Sequence, residues 1–114
     1  MNDRLEMLDR TSWEAFVASP RAVLMLGKTD CAACNTWTEE LSAFLDSDEE
    51  FADVRFGKLL LDQPGLVAFK RAHDWVAGVS DLPYNVIFVD GERVKEFAGG
   101  GADRLANRLR RVVS

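Results

Sequence analysis

Residues 22–34 read AVLMLGKTDCAAC, an apolar run followed by a short polar turn and two cysteines. The run at residues 22–26 is continuously apolar, which is typical of a strand buried on both faces. Cys31 and Cys34 are the two cysteines of the chain, and a helical pattern begins at Cys31. Two thiols at this spacing can share a short disulfide, and the first can become a nucleophilic thiolate. The stretch therefore predicts a redox pair between a buried strand and a helix.

Helical patterns recur along the rest of the chain. The helix that begins at Cys31 has one apolar side, because five apolar residues repeat at helical spacing. These residues are Cys34, Trp37, Leu41, Phe44 and Leu45. An earlier helix is predicted from a capping box of Thr11 and Glu14. Further helices are predicted at 66–75 and after the glycines at 99–101.

Four further segments have strand patterns, at 5–8, 54–61, 84–89 and 93–97. The last two are joined by Asp90-Gly91, which is a hairpin signal. The resulting order is βαβαβαββα. Strands separated by helices pair in parallel, and a terminal hairpin pairs antiparallel. We therefore expect an α/β fold with a mixed central sheet, helices on both faces and one domain over residues 1–114.

Composition excludes some classes of function. The 114 residues suit one domain with one core, and 47% hydrophobic with 29% charged residues predict a globular chain. The net charge of −5 argues against nucleic acid as a partner, because phosphate binding needs clustered Lys and Arg. We therefore expect no nucleic-acid partner.

The sequence also predicts a cellular location. No apolar run approaches the roughly 20 residues that a membrane-spanning helix needs, so no membrane contact is expected. Asp3 and Glu6 stand where a signal peptide needs a basic region, which predicts a cytoplasmic protein. In a reducing compartment a structural disulfide is disfavoured, and a lone cysteine pair there indicates catalysis, metal binding or no function.

The ordered set of these features resembles the thioredoxin family over nearly the whole chain. The segment Lys58-Leu59-Leu60-Leu61-Asp62 is similar to the third strand of thioredoxins, with Lys58 in the place of the family's lysine. Leu82-Pro83 is similar to the position where the family has a cis peptide bond. The resemblance implies a thioredoxin-like fold and thiol–disulfide exchange. In that reaction Cys31 attacks a substrate disulfide, and Cys34 resolves the mixed disulfide.

Three features depart from the family pattern. Asp30 stands where thioredoxins usually have Trp, and Ala32-Ala33 replaces Gly-Pro. Met25 stands where the family has a buried Asp that helps to move protons. Without that carboxylate, proton transfer to or from Cys34 must go through water, Lys58 or another group. We therefore expect slower exchange than in a full thioredoxin.

Asp30 and Lys58 are the predicted tuning residues. As the N-cap of the helix, Asp30 would fix the helix start, whereas as a charge beside Cys31 it would oppose thiolate formation. We favour the cap. Lys58 is interpreted either as a strand residue with its ammonium in water or, from the resemblance, as a neighbour of Cys34.

The resemblance also implies a substrate site beside the cysteine pair. With a cis Pro83, the backbone of Leu82 would pair with an extended substrate, strand to strand. An apolar groove formed by Ala32, Ala33, Leu82 and Tyr84 would hold the substrate segment. The expected substrates are protein disulfides.

Three functions remain open. The favoured one is a monomeric, thioredoxin-like protein-disulfide oxidoreductase without metal or cofactor beyond the Cys31–Cys34 disulfide. A thioredoxin reductase or a low-molecular-weight thiol would supply its electrons. The second is a thioredoxin-fold binding or adaptor domain with a weak or vestigial redox pair. The third is a two-thiolate metal site, which would require a dimer because zinc takes four ligands and the one histidine, His73, is distant in sequence.

Overall fold

The computed structural model describes residues 2–113. Its strands are β1 (Leu5–Met7), β2 (Arg21–Gly27), β3 (Arg55–Leu60), β4 (Tyr84–Val89) and β5 (Glu92–Ala98). They form one sheet in the order β1-β3-β2-β4-β5, in which β2 pairs in parallel with β3 and antiparallel with β4. The α/β class and the mixed sheet predicted from the sequence are confirmed.

Helices cover both faces of this sheet. They are α1 (Trp13–Val17), α2 (Ala32–Ser47), α3 (Val67–Ala72) and α4 (Ala102–Val113), with a 3-10 helix at Asp74–Gly78. The helices α2 and α4 pack on one face, and α1, α3 and the 3-10 helix pack on the other. Within residues 2–113, no helix combines the length and the apolarity needed to cross a membrane.

The strand β2 belongs to both cores of the molecule. Val23 and Met25 pack in the core under α2 and α4, whereas Leu24 and Leu26 pack in the core under α1 and α3. This division follows from the alternation of side chains along a strand. Each of these side chains is at most 1% exposed. A strand buried on both faces requires a continuous apolar run, which residues 22–26 provide.

The first helix begins differently from the prediction. The Asp9 carboxylate accepts hydrogen bonds from the Thr11 N–H at 2.9 Å and from the Thr11 hydroxyl at 2.7 Å. α1 then starts at Trp13, after Ser12, whose side chain makes no capping bond. The predicted capping box of Thr11 and Glu14 is wrong, because the Thr11 hydroxyl donates to the Asp9 carboxylate and does not cap the helix.

The helix predicted at residues 66–75 is two shorter elements. α3 ends at Ala72, His73 has φ −128° and ψ 72°, and the 3-10 helix follows. The centroid of the His73 ring lies 5.0 Å from that of Phe69 and 5.9 Å from that of Phe88. The hydrophobic periodicity of residues 66–75 could not show this break, because the aromatic cluster around His73 includes Phe88 from the distant strand β4.

Candidate functional site

Cys31 and Cys34 lie where β2 passes into α2, as predicted. Their sulfurs are joined in a disulfide, with Cα atoms 5.2 Å apart. Cys31 is 9% exposed and Cys34 is fully buried, so only the sulfur of Cys31 has access to a partner outside the chain. Cys34 packs against the end of β2, since a Cβ at Gly27 would lie 3.4 Å from the Cys34 Sγ.

Cys31 itself caps α2. Its backbone is extended, with φ −123° and ψ 102°, and its Sγ accepts a hydrogen bond from the Cys34 N–H at 3.1 Å. The first N–H groups of a helix have no partner within the helix and carry partial positive charge. The sulfur of Cys31 therefore lies at the point of α2 that best stabilises a negative charge.

Asp30 does not cap the helix, and that prediction is wrong. Its φ of 51° places it in the left-handed region, so it belongs to the turn before Cys31 and its side chain is exposed. The Asp62 carboxylate holds this turn by accepting from the Thr29 N–H at 3.1 Å. That bond, more than any other contact, lowers the pKa of Asp62. The turn itself was predicted, but local sequence could not reveal its bond to Asp62, because Asp62 comes from beyond β3.

Lys58 is buried beneath α2 and does not extend its ammonium into water. It is 7% exposed, and its Nζ donates to the Thr38 Oγ1 at 2.9 Å. The Thr38 hydroxyl in turn donates to the Cys34 carbonyl at 2.8 Å. Burial lowers the pKa of Lys58. The interpretation of Lys58 as a solvated strand residue is wrong, because α2 and its Thr38 cover the side chain.

Sequence reasoning missed Thr38. It lies four residues after Cys34 on the apolar side of α2, and it is 9% exposed. Met25 stands where the family resemblance implies a buried carboxylate. It is fully buried, and its Sδ lies 3.8 Å from the Thr38 Oγ1. A polar residue within an otherwise apolar helix face was the available signal.

A cavity of about 530 Å³ is lined by α2 and the loop before β4; neither cysteine is among its lining residues, but Ala33, between them in sequence, is. The predicted site residues Ala33, Leu82 and Pro83 line it, and the Leu82–Pro83 peptide bond is cis, as the resemblance implied. Ala32 is exposed at the start of α2 and is not among the lining residues. The cavity therefore lies along α2 and the loop before β4.

Tyr84 lies on the opposite face of the sheet from the cysteines. It packs in the core under α1 and α3, and its hydroxyl donates to the Glu96 Oε1 at 2.5 Å. That hydrogen bond is the main cause that raises the pKa of Tyr84 to about 12. The prediction that Tyr84 lines the groove is wrong, because the first residue of β4 turns its side chain away from Ala33.

Trp37 lines the cavity, and the buried Asn85 holds its indole in place. The Trp37 Nε1 donates to the Asn85 Oδ1 at 2.8 Å, and the Asn85 Nδ2 donates to the Gly99 carbonyl at 2.7 Å. A Cβ at Gly100 would lie 3.1 Å from the Trp37 ring, so a side chain there would require the ring to shift by a few tenths of an ångström. Asn85 was also missed, although a fully buried amide within the apolar strand β4 is a recognisable signal.

No arrangement of metal ligands accompanies the pair. Within residues 2–113, no three His, Cys, Asp or Glu side chains are grouped so that they could hold an ion. His73 packs among aromatic rings in the core under α1 and α3, across the sheet from the disulfide.

Solved thioredoxin structures have the same fold. Thioredoxin O2 of Arabidopsis thaliana in the oxidised state is 18% identical, with a TM-score of 0.76 over 100% of this chain and 98% of that chain. The long form of thioredoxin f from spinach chloroplast is 21% identical, with a TM-score of 0.75 over 96% and 87% of the two chains. Thioredoxin NaTrxh of Nicotiana alata is 18% identical, with a TM-score of 0.75 over 97% and 94%.

These similarities show that the chain has a thioredoxin fold, which confirms the predicted fold resemblance. No protein-family model and no curated protein matches the sequence.

Proposed function

We propose that this chain is a thiol–disulfide oxidoreductase that reduces protein disulfides by a two-step exchange. The observation that carries the proposal is the position of the Cys31 sulfur. It caps α2, accepts the Cys34 N–H and belongs to the less buried member of the disulfide, and Ala33, between the two cysteines, lines an open cavity. The thioredoxin fold supports the same reaction class.

In the first step, the thiolate of Cys31 attacks a substrate disulfide. A bond forms between the Cys31 Sγ and one substrate sulfur, and the other substrate sulfur leaves as a thiolate that takes a proton from solvent. The Cys34 N–H and the N-terminal end of α2 stabilise the attacking thiolate. The product of this step is a mixed disulfide between Cys31 and the substrate.

In the second step, Cys34 loses its proton and attacks the Cys31 sulfur. The Cys31–Cys34 disulfide forms, and the second substrate sulfur leaves and is protonated, so the substrate gains two electrons and two protons. Met25 offers no group that could take the proton of Cys34. Thr38, one turn after Cys34 on α2, donates to the Cys34 carbonyl and accepts from Lys58 of β3, so these two residues and water would assist that proton transfer.

The substrate segment would lie along the loop before β4. Within residues 2–113, the N–H and carbonyl groups of Leu82 make no backbone hydrogen bond. An extended substrate could therefore pair with Leu82 while its side chains contact Ala33 and Pro83. Ala32, which is exposed at the start of α2 and outside the cavity lining, would contact the substrate at the edge of the cavity.

The remaining parts of the proposal concern the surroundings of the reaction. Asp30, exposed directly before Cys31, would oppose thiolate formation and so tune the first step. A thioredoxin reductase or a low-molecular-weight thiol would return electrons to the disulfide, which serves as the redox centre without another cofactor. We propose a monomer that acts in the cytoplasm.

Insulin reduction with dithiothreitol as electron source tests the reaction. The wild-type chain should accelerate insulin precipitation, Cys31→Ser should abolish the acceleration, and Cys34→Ser should accumulate a mixed disulfide that mass spectrometry detects. A reduction potential of about −270 mV would support a reductase, whereas about −120 mV would indicate an oxidant. Equal insulin precipitation with wild type and Cys31→Ser would refute the proposal.

A binding or adaptor domain with a weak redox pair is the second candidate. The buried polar residues within 2–113 are Ser19, Thr38, Lys58 and Asn85, so no acidic residue is available among them to assist Cys34. Stopped-flow rates with a protein disulfide separate the candidates. Rates equal to those of a standard thioredoxin would exclude a weak pair and would also contradict the slow exchange expected from Met25.

A further inference from the structure

The cavity lined by α2 and the loop before β4 combines apolar walls with acidic side chains. Ala33, Leu82, Pro83 and Trp37 supply apolar surface, and Glu40 and Asp81 also line it. No Lys or Arg is among its lining residues. A peptide segment in this cavity would therefore contact apolar surface and a net negative charge.

Asp81 is the carboxylate best placed to meet a substrate. It directly precedes Leu82, whose backbone groups make no hydrogen bond within the described chain. Its side chain is exposed, and it forms no ion pair among residues 2–113. The charge of Asp81 is therefore not neutralised by the protein itself.

Glu40 contributes a second, less mobile charge. Its Oε2 accepts a hydrogen bond from the Ala102 N–H at 2.7 Å, so the start of α4 holds the carboxylate at the cavity and partly offsets its charge. Arg104 lies nearby, but its guanidinium donates to the Gly100 carbonyl at 3.0 Å and stacks over the Phe97 ring at 4.9 Å. These partners are neutral, so Arg104 keeps its charge, but it is not among the residues that line the cavity, whereas Glu40 and Asp81 are.

A third carboxylate, that of Asp30, directly precedes the cysteine pair in the sequence. Asp30 is exposed directly before Cys31 and forms no ion pair within the described residues. Side chains on an extended peptide advance by about 3.3 Å per residue. The residues flanking a substrate cysteine bonded to Cys31 would therefore extend past Asp30 and along the cavity that Asp81 and Glu40 line, where exposed charges interact over a screening length of about 10 Å at 0.1 M salt.

We propose that the substrates of this site are disulfides in extended segments whose cysteine is flanked by lysine or arginine, and that Asp81 selects them. This inference rests on the proposed disulfide exchange. The apolar cavity holds the segment, the backbone of Leu82 pairs with it, and the carboxylates attract its cations. Electrostatic complementarity of this kind acts mainly on the association rate and on the choice between partners.

Two disulfide peptides that differ only in their flanking residues, Lys in one and Glu in the other, test the proposal. The second-order rate constant for reduction by the reduced protein is measured by stopped flow. At about 20 mM salt the Lys peptide should react about three- to tenfold faster than the Glu peptide, and the ratio should shrink at about 0.5 M salt. Asp81→Asn should lower the ratio at low salt by at least about half.

Asp3→Asn is the matched control. It removes the same charge from an exposed residue before β1, at the edge of the sheet remote from β4, so the Lys-to-Glu ratio should stay at the wild-type value. Comparing ratios between variants cancels the intrinsic reactivity of each peptide. Equal ratios for wild type and Asp81→Asn, or faster reduction of the Glu peptide, would overturn the inference while leaving disulfide exchange intact. Failure of both peptides to react, with insulin also unreduced, would instead overturn the proposed function.

Discussion

The hydroxyl of Thr38 connects two buried groups, the ammonium of Lys58 and the carbonyl of Cys34. A buried ammonium is costly unless hydrogen bonds compensate for its lost hydration. Within residues 2–113, Lys58 has no salt bridge, and Thr38 is the side chain that accepts its hydrogen bond. At the scale of single residues, Thr38 is therefore the group on which the burial of Lys58 depends.

Replacing this hydroxyl should destabilise the fold. Thr38→Val keeps the shape of the side chain but leaves the Lys58 ammonium without its acceptor, so the free energy of unfolding should fall by about 1–3 kcal/mol. Urea denaturation at pH 7 measures the change. Thr38→Ser retains the hydroxyl and should lose clearly less stability than Thr38→Val. Equal stability of Thr38→Val and wild type would show that another group or water serves Lys58.

At the scale of elements, His73 marks the break between α3 and the 3-10 helix. Its Nε2 is buried without a hydrogen-bond partner within residues 2–113, and the rings of Trp13, Phe69, Trp75 and Phe88 surround it. Burial, with a smaller contribution from the charge of Arg93, lowers the pKa of His73. The neutral imidazole is therefore the form that this packing accommodates.

The pH dependence of stability follows from that shift. Below the unfolded-state pKa of about 6.5, the unfolded chain binds the His73 proton more readily than the folded chain does. The contribution of His73 to the free energy of unfolding should therefore be complete above about pH 6.5. It should decrease as the pH falls toward the lower folded-state pKa, and it should not decrease further below that pKa.

His73→Phe is the variant that isolates this effect. It fits the aromatic cluster and cannot be protonated, so its advantage in unfolding free energy over wild type should grow between pH 7 and pH 5. Urea denaturation of both proteins across that range measures the difference, and carboxylates such as Asp62 contribute equally to both. A difference independent of pH would contradict the prediction.

At the scale of the whole molecule, the sheet and the layer that covers it approach each other closely at Gly57 of β3. A Cβ at Gly57 would lie 2.8 Å from the Leu8 Cδ1 and from the Phe16 ring. Both side chains are buried, with Phe16 fully so. The layer that contains α1 can therefore approach the sheet only where residue 57 has no side chain.

Gly57→Ala should therefore destabilise the protein by about 1–3 kcal/mol, because the added methyl group displaces Leu8 and Phe16. Gly78→Ala is the matched control, since a Cβ at Gly78 meets no atom within 4 Å. That change should alter stability by less than about 1 kcal/mol. Thermal or urea unfolding of the two variants gives the comparison, and an equal loss in both would mean that the approach at Gly57 is not tight.

Much of the fold was predictable because its signals are local. The buried run at residues 22–26 and the hairpin signal Asp90-Gly91 each identify an element without reference to distant residues. Asp90 and Gly91 have φ of 52° and 83°, as a two-residue hairpin turn requires. The break at His73 was missed because its cause is contact with β4 rather than a property of residues 66–75.

The sequence by itself determined the element order, the α/β class and the position of Cys31 and Cys34 between a strand and a helix, because periodicity and spacing are properties of neighbouring residues. Only the tertiary structure decided which partners the polar residues have. The Lys58–Thr38 bond joins residues 20 positions apart, and the Trp37–Asn85 bond joins residues 48 positions apart. Such pairs depend on how α2 lies over the sheet, which no local pattern records.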